Sequence, residues 1–493
     1  MNANLLGPFN FLIYKYVVLS IKKEKLVKGV LWSGIDKVGV VIIQLVLELI
    51  LARHIMPQEY GIMGLAMIFI TFGSIFSESG FSNALIRKQD RTEQDFSTAF
   101  YFNLIVSVCF TATVFQLAHF IANYFDTPML KDVLRVISLC VIFNALVMVH
   151  KTKLSILMDF NTQAKVSFIA LFLSGTIGVV LAIKGYGVWA LVAQILGQSF
   201  FTFLFFCILF FWKPLFVFSK KSFSELFGFG SNLLLAGIIQ NIYVNLYNVF
   251  IGKRMPASML GLYTKSNQFT FMPANLISSI LQRVTFPFFS SYQNNVEKIF
   301  FLNQQFTRLI CLSVFPVFAY VCIFAKPLVY YGLSSRWMMA VPIIQLLAIA
   351  YVFQPIIVNN MLLLQVRNNT KLYFRVEIIT KITGVLILLF TFKLGILFLC
   401  YGIILQLFLQ LCITSFFANW LLERSMFQQI FIIVPYIVFP GLVWLIISYV
   451  FRDQSMESYF FYGSVVFLMS YFVYYFIFCK NHIISLFKLL KNK

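Results

Sequence analysis

"LARHIMPQEYGIMGLA" (residues 51–66) and "IGKRMPASMLGLYTKS" (residues 251–266) lie two hundred positions apart and follow one plan. Each runs from a small residue to a cation, through Met-Pro, to a glycine. Ala52 stands over Gly252, Arg53 over Lys253 and Gly61 over Gly261, while Pro57 and Pro256 are one place out of step. Charges, Gly, Pro and Asn are also where long apolar segments break, so both stretches read as corners between helices.

The segments that flank the corners decide the class. Hydrophobic residues make up 60% of the 493 and charged residues 11%, against about half and a quarter in soluble domains. Runs such as "VSVCFTATVFQLAHFIANYF" reach the roughly 20 residues that cross a bilayer core. The opening "FNFLIYKYVVLSIKKEKLVK" is short, carries its cations after the apolar part and lacks a small-residue cleavage site, so no cleavable signal peptide is expected. The expected fold is an all-α polytopic membrane protein with about fourteen spans between residues 28 and 480. The spans lack the two-residue alternation of a β-barrel.

The net charge of +21 does not point to nucleic acid, because the cations punctuate the ends of apolar segments rather than cluster on one face. Lysines and arginines concentrate in alternate loops, among them Lys22, Lys23, Arg87, Lys88, Lys151, Lys153, Lys220, Lys221 and Arg367. By the positive-inside rule these loops and both termini are cytoplasmic. The eight cysteines have no close Cys-x-x-Cys pair and the four histidines are dispersed, so no metal site or disulfide is expected and the thiols read as packing groups.

The first corner joins spans 1 and 2, the second joins spans 7 and 8. Six spans separate the copies, so both have the same orientation, as in a parallel repeat about an axis along the membrane normal. The expected organisation is an interfacial segment 1–27, an N-lobe 28–212 (spans 1–6) and a basic linker 213–222. A C-lobe 223–422 (spans 7–12), spans 13–14 at 423–480 and a basic tail 481–493 complete it.

These residues resemble the polysaccharide-exporter branch of the multidrug/oligosaccharidyl-lipid/polysaccharide flippase superfamily. "LARHIMPQEYGIMGLA" is similar to that branch's first corner, and "GLYTKSNQF" with "LQRVTFPFFSSYQ" (281–293) is similar to its span 8 signature. The likeness covers about residues 25–425. It implies a flippase that moves undecaprenyl-pyrophosphate-linked oligosaccharides across the bacterial inner membrane for surface polysaccharide assembly. It also implies coupling to a proton or sodium gradient, no cofactor, and other polysaccharide-assembly proteins as partners. Relatives often carry an acidic residue in span 7; this chain has "NLYNVFIGK" there. A drug or peptidoglycan-precursor exporter of the same fold is the first alternative. A membrane polymerase or glycosyltransferase is the second, although the outer loops are short and hold few carboxylates.

Carrying sugars and a diphosphate through hydrocarbon requires cations and amides facing a wet cavity, and ionisable residues inside spans are costly enough to mark such faces. In span 1, Lys37, Gln44 and Glu48 share one helical face; Lys37 and Gln44 are candidates for substrate, Asp36 and Glu48 for a coupling ion. In span 7, Asn241, Asn245 and Asn248 form a second stripe whose amides suit sugar hydroxyls. In span 8, Lys265 is the leading candidate for a buried cation, with Gln268 beside it. Glu377 and Lys381 are spaced to pair with each other. Arg283 and Arg308 read as contacts to lipid phosphate, and Trp189, Trp212 and Trp337 as interfacial anchors. Pro273, Pro316, Pro342, Pro355 and Pro435 are expected to kink their spans.

Overall fold

The computed structural model describes residues 39–78, 80–367, 370–452 and 454–476. Among them, all regular structure is helical. Asp36 and Lys37, the segment 1–27 and the tail 481–493 lie outside the described residues.

Contacts divide the chain into two compact units, Met1–Ser258 and Met259–Lys493. The first holds α1 (39–54), α2 (Pro57–Glu78), α3 (Phe81–Arg87), α4 (Glu93–Tyr124), α5 (Met129–Ile137), α6 (Leu139–Ile156), α7 (Phe160–Ile183), α8 (Val188–Leu209) and α9 (Lys220–Arg254). The second holds α10 (Ala257–Ser291), α11 (Val296–Ile323), α12 (Ala325–Gly332), α13 (Val341–Tyr351), α14 (Gln354–Val366), α15 (Thr370–Thr391), α16 (Ile396–Trp420), α17 (Met426–Val450) and α18 (Met456–Tyr474). Among the described residues, 9 helical stretches have the length and hydropathy to cross a membrane. Of the helices outside that set, α9 and α10 at 35 residues each and α15 at 22 also reach the length of a bilayer span. These three carry the asparagine stripe, Lys265 and the Glu377–Lys381 pair. The protein is thus an all-helical, multi-pass membrane protein.

The two corners are the same structure. In the first, Ile55 N–H donates to Leu51 O at 2.9 Å; in the second, Met255 N–H donates to Ile251 O at 2.8 Å. Each is followed by one non-helical residue, Met56 or Pro256, before the next helix begins at Pro57 or Ala257. The one-place stagger of the prolines is harmless, because a helix start has no partner for a backbone N–H in either position. Burial repeats as well: positions 61–70 and 261–270 are buried and half-buried in the same order. The repeat reaches further than the corner motif, since "FDTPML" (125–130) and "FAKPLV" (324–329) are related in the same way.

Spans 4 and 10 are broken rather than continuous. Span 4 divides at Ser138 into α5 and α6, and span 10 divides at Val352–Phe353 into α13 and α14. This corrects the expectation for two prolines: Pro342 and Pro355 stand in the first turns of α13 and α14 and disrupt no helix interior. Pro273, Pro316 and Pro435 do lie inside helices, together with Pro287 and Pro440. Trp337 also departs from expectation. It is 0% exposed, a packing residue of the second unit and not an interfacial anchor.

Within the first unit, α9 runs antiparallel to α2. Gly230 meets Gly80, Gly237 meets Ile75, and the Asn245 Nδ2 donates to Thr71 Oγ1 at 3.4 Å. Small residues allow this approach, which in a membrane replaces the hydrophobic effect as the source of helix association. By contact, then, α9 belongs with α2, α3 and α4, although the repeat makes it the first helix of the second lobe.

At the end of the first unit that bears the basic loops, Thr92 and Asp95 form a capping box on α4, the reciprocal pair that satisfies two free N–H groups. Lys88 bridges Asp95 at 3.0 Å and Glu225 of α9 at 2.8 Å. The hydrogen bond to Glu225 is the main reason that the Lys88 ammonium titrates above the ordinary lysine range. Phe81, Leu85, Phe96, Phe100 and Leu226 pack beneath this junction.

Candidate substrate-binding residues

In the first unit, Gln44 and Glu48 lie one turn apart on α1, both half-buried. The corner folds α2 back on α1, so Tyr60 reaches Glu48 and its hydroxyl stands 3.5 Å from Oε2. The Glu48 carboxyl is therefore offered a donor inside the helix pair.

The α9 stripe is a ladder of amides. Asn248 Nδ2 donates to Asn245 Oδ1 at 3.4 Å, and Asn245 Nδ2 donates to Asn241 Oδ1 at 3.0 Å and to the Asn241 carbonyl at 3.1 Å. All three are half-buried. Their side chains share one face because the spacing follows the helical turn. The ladder holds the amides in register and leaves each with further donor or acceptor capacity.

In the second unit, Lys265 is 2% exposed. Its Nζ donates to Gln268 Oε1 at 3.1 Å, one turn along α10, and lies 5.6 Å from the Phe269 ring centre. Burying an ammonium costs several kcal/mol as an order of magnitude, which its partners have to offset. A buried cation that a fold retains at such cost is a site candidate by default. Glu377 and Lys381 pair on α15 at 3.1 Å, as their spacing suggests. Arg283 is exposed and Arg308 half-buried.

Two features escape a one-dimensional scan. The Tyr351 hydroxyl, at the break in span 10, donates to Asn267 Oδ1, and Tyr351 packs edge-on to Phe271 at 5.3 Å between centroids. Deeper, α11, α14, α16 and α17 share a buried amide network. Asn359 donates to Asn303 Oδ1 (2.8 Å), Asn360 to Ser415 Oγ (3.1 Å), Gln429 to Asn360 Oδ1 (2.9 Å) and Asn419 to Gln429 Oε1 (3.0 Å). One signal was available for part of it: Asn303 stands two hundred places after Asn103, which is also fully buried.

The predicted residues thus fall into two groups, Gln44, Glu48 and the ladder in the first unit, Lys265 and Gln268 in the second. Comparison with known proteins bears on the fold and the family. The chain is 26% identical over 355 residues to the teichuronic acid biosynthesis protein TuaB of Bacillus subtilis (strain 168), covering 71% of this chain and 73% of that one. It is 25% identical over 335 residues to the succinoglycan biosynthesis transport protein ExoT of Rhizobium meliloti (strain 1021), covering 67% of each. Its fold is similar to that of the lipid II flippase MurJ in an inward closed conformation. The TM-score is 0.74 at 14% identity, over 92% of this chain and 100% of that one. Residues 50–342, more than half of the chain, match the family of polysaccharide biosynthesis proteins, and the chain belongs to that family.

Proposed function

We propose that the protein flips undecaprenyl-pyrophosphate-linked oligosaccharide units across the bacterial inner membrane for surface polysaccharide assembly. The prenyl tail stays in lipid, and the head group crosses through a polar cavity by alternating access. The moving bodies are the six-span lobes 28–212 and 223–422, with both termini cytoplasmic and a transmembrane proton or sodium gradient as the driving force. The protein assigns itself transport and no bond-making step in this scheme.

The observation that carries the reading is Lys265, a buried ammonium with an amide beside it. An ammonium and an amide match a diphosphate and its sugar, where a drug exporter would need no fixed cation. The asparagine ladder supports the same assignment, since amides both donate to and accept from sugar hydroxyls. Glu48 is the candidate for the coupling ion, because it is an ionisable carboxylate within a spanning helix.

A flipping assay on full-length protein in liposomes, with a lipid-linked oligosaccharide as substrate, tests the assignment. Lys265→Ala is expected to lower the rate at least tenfold, and Glu48→Gln to abolish its dependence on the imposed gradient. Wild-type behaviour in both variants refutes the site.

A further inference from the structure

Between α8 and α9 the chain has no regular structure from 211 to 219, and its apolar side chains face outward. Phe216 is 90% exposed and Phe211 80%, with Leu215, Val217 and Phe218 exposed as well. The segment is nevertheless firmly held. Leu215 N–H donates to Ser97 Oγ at 2.9 Å, Ser219 N–H to Thr98 Oγ1 at 3.1 Å, and the Trp212 indole N–H to Glu93 Oε2 at 2.9 Å. Lys153 completes the clamp, pairing with Glu93 at 2.6 Å and lying 4.5 Å and 5.0 Å from the Phe96 and Trp212 ring centres. All of these partners but Lys153 belong to the first two turns of α4 or to the segment itself. The phenylalanines are therefore presented at a set level, where α8 ends and α4 begins.

Charge completes the pattern. Lys213, Lys220 and Lys221 are exposed beside the phenylalanines. Lys220 and Lys221 open α9, and no acidic residue stands in that first turn. Cations there oppose the positive end of the helix dipole, which favours an anion at that place. An anion from outside the chain would meet both the lysines and the helix terminus.

We propose that residues 210–221 form an interfacial anchor seated in the anionic headgroup layer of the cytoplasmic leaflet. Phe211 and Phe216 reach the acyl boundary, while Lys213, Lys220, Lys221 and the α9 terminus meet phospholipid phosphates. Aromatic side chains favour this depth, and basic residues near an anionic surface are drawn to it. The serine and threonine of α4 satisfy backbone donors that the lipid side could not. The occupant is lipid rather than protein because the exposed apolar run 215–218 is flanked by cations at the level where the spans end. Anchoring also places the start of α9, and with it the asparagine ladder, in register with the bilayer.

Photocrosslinking in the full-length chain tests this. p-Benzoylphenylalanine is placed at position 216, and separately at 211, in nanodiscs of phosphatidylglycerol and phosphatidylcholine, and adducts are read by mass spectrometry. The expected result is a ratio of phosphatidylglycerol to phosphatidylcholine adducts at least fivefold above the ratio of the two lipids in the bilayer, about the factor that one surface lysine contributes. Changing Lys213, Lys220 and Lys221 together to Gln returns the adducts to bulk composition, about fivefold being at stake for each surface lysine. Three results overturn the proposal: no lipid adduct at either position, adducts at bulk composition in the unaltered chain, or protein adducts in native membranes in place of lipid ones. The probe replaces one exposed aromatic with another, so a failure to fold does not obscure the outcome.

Discussion

Gly80→Ala probes the seat of α9 on the turn between α2 and α3. Gly80 has φ +68°, in the left-handed region, which costs an L-residue about 1–2 kcal/mol. A Cβ there would stand 2.6 Å from the Gly230 carbonyl oxygen and 2.7 Å from Gly230 Cα. Both are backbone atoms, so no side chain can swing away and α9 itself has to shift. Overpacking of that kind costs about 1–3 kcal/mol. The two effects sum to about 2–5 kcal/mol. For a unit of this size each kcal/mol lowers the melting temperature about 2–4 °C, which gives a loss of about 4–20 °C. Size-exclusion chromatography after graded heating of the full-length protein measures it. Gly80→Asn separates the contributions, because asparagine tolerates the left-handed backbone yet brings the same Cβ; it should recover no more than the strain part. The repeat offers a comparison: Ile280 occupies the matching place in α10, where the helix runs through unbroken. A Gly80→Ala protein that melts within 1 °C of wild type, on the scale just given, would show that the Gly80–Gly230 approach is wrongly described.

Other consequences can be checked alongside. Lys265→Met should keep thermal stability close to wild type, since replacing a buried charge by an apolar group of similar volume is often neutral, while flipping falls at least tenfold; loss of both would make Lys265 a structural residue. A double-mutant cycle on Asn303→Ala and Asn359→Ala should show a coupling of about 0.6–1.7 kcal/mol, the range for hydrogen bonds inside membrane bundles. Additive effects would mean that the 2.8 Å contact contributes nothing. Lys88→Gln should cost about 1–2 kcal/mol at neutral pH, less than a fully buried pair because Glu225 is half exposed. The folded Lys88 titrates above its unfolded value, so its contribution is complete at lower pH and is lost as pH climbs past about 10. The stability difference between wild type and variant should therefore close only in strong alkali; a difference that closes between pH 5 and 8 would place the cause elsewhere.

Much of the candidate site was legible because helical faces are local. Asn241, Asn245 and Asn248 had to share a face once the segment was helical, and the ladder follows from that spacing. The same holds for Lys265 with Gln268 and for Glu377 with Lys381. What stands opposite a face is a different matter. Tyr351 is 84 residues from Asn267, and Asn359 is 56 from Asn303; spacing along the chain says nothing about such meetings. Trp337 was misjudged for a related reason. In a membrane, lipid-facing and core-facing surfaces are equally apolar, so a large aromatic near a span end fits either place.

By itself, then, the amino-acid sequence determined the class, the repeated corner and which polar residues share a helical turn. Each depends on composition or on a period of a few residues, and the bilayer enforces both by admitting only long apolar helices. Tertiary structure alone decided that spans 4 and 10 are broken, that α9 packs on the turn before α3 through Gly80 and Gly230, and that Lys88 joins α4 to α9. It also decided how far Lys265 is buried. These outcomes depend on which surfaces meet across the bundle, and that is settled by close packing between helices distant in the chain rather than by any pattern within one of them.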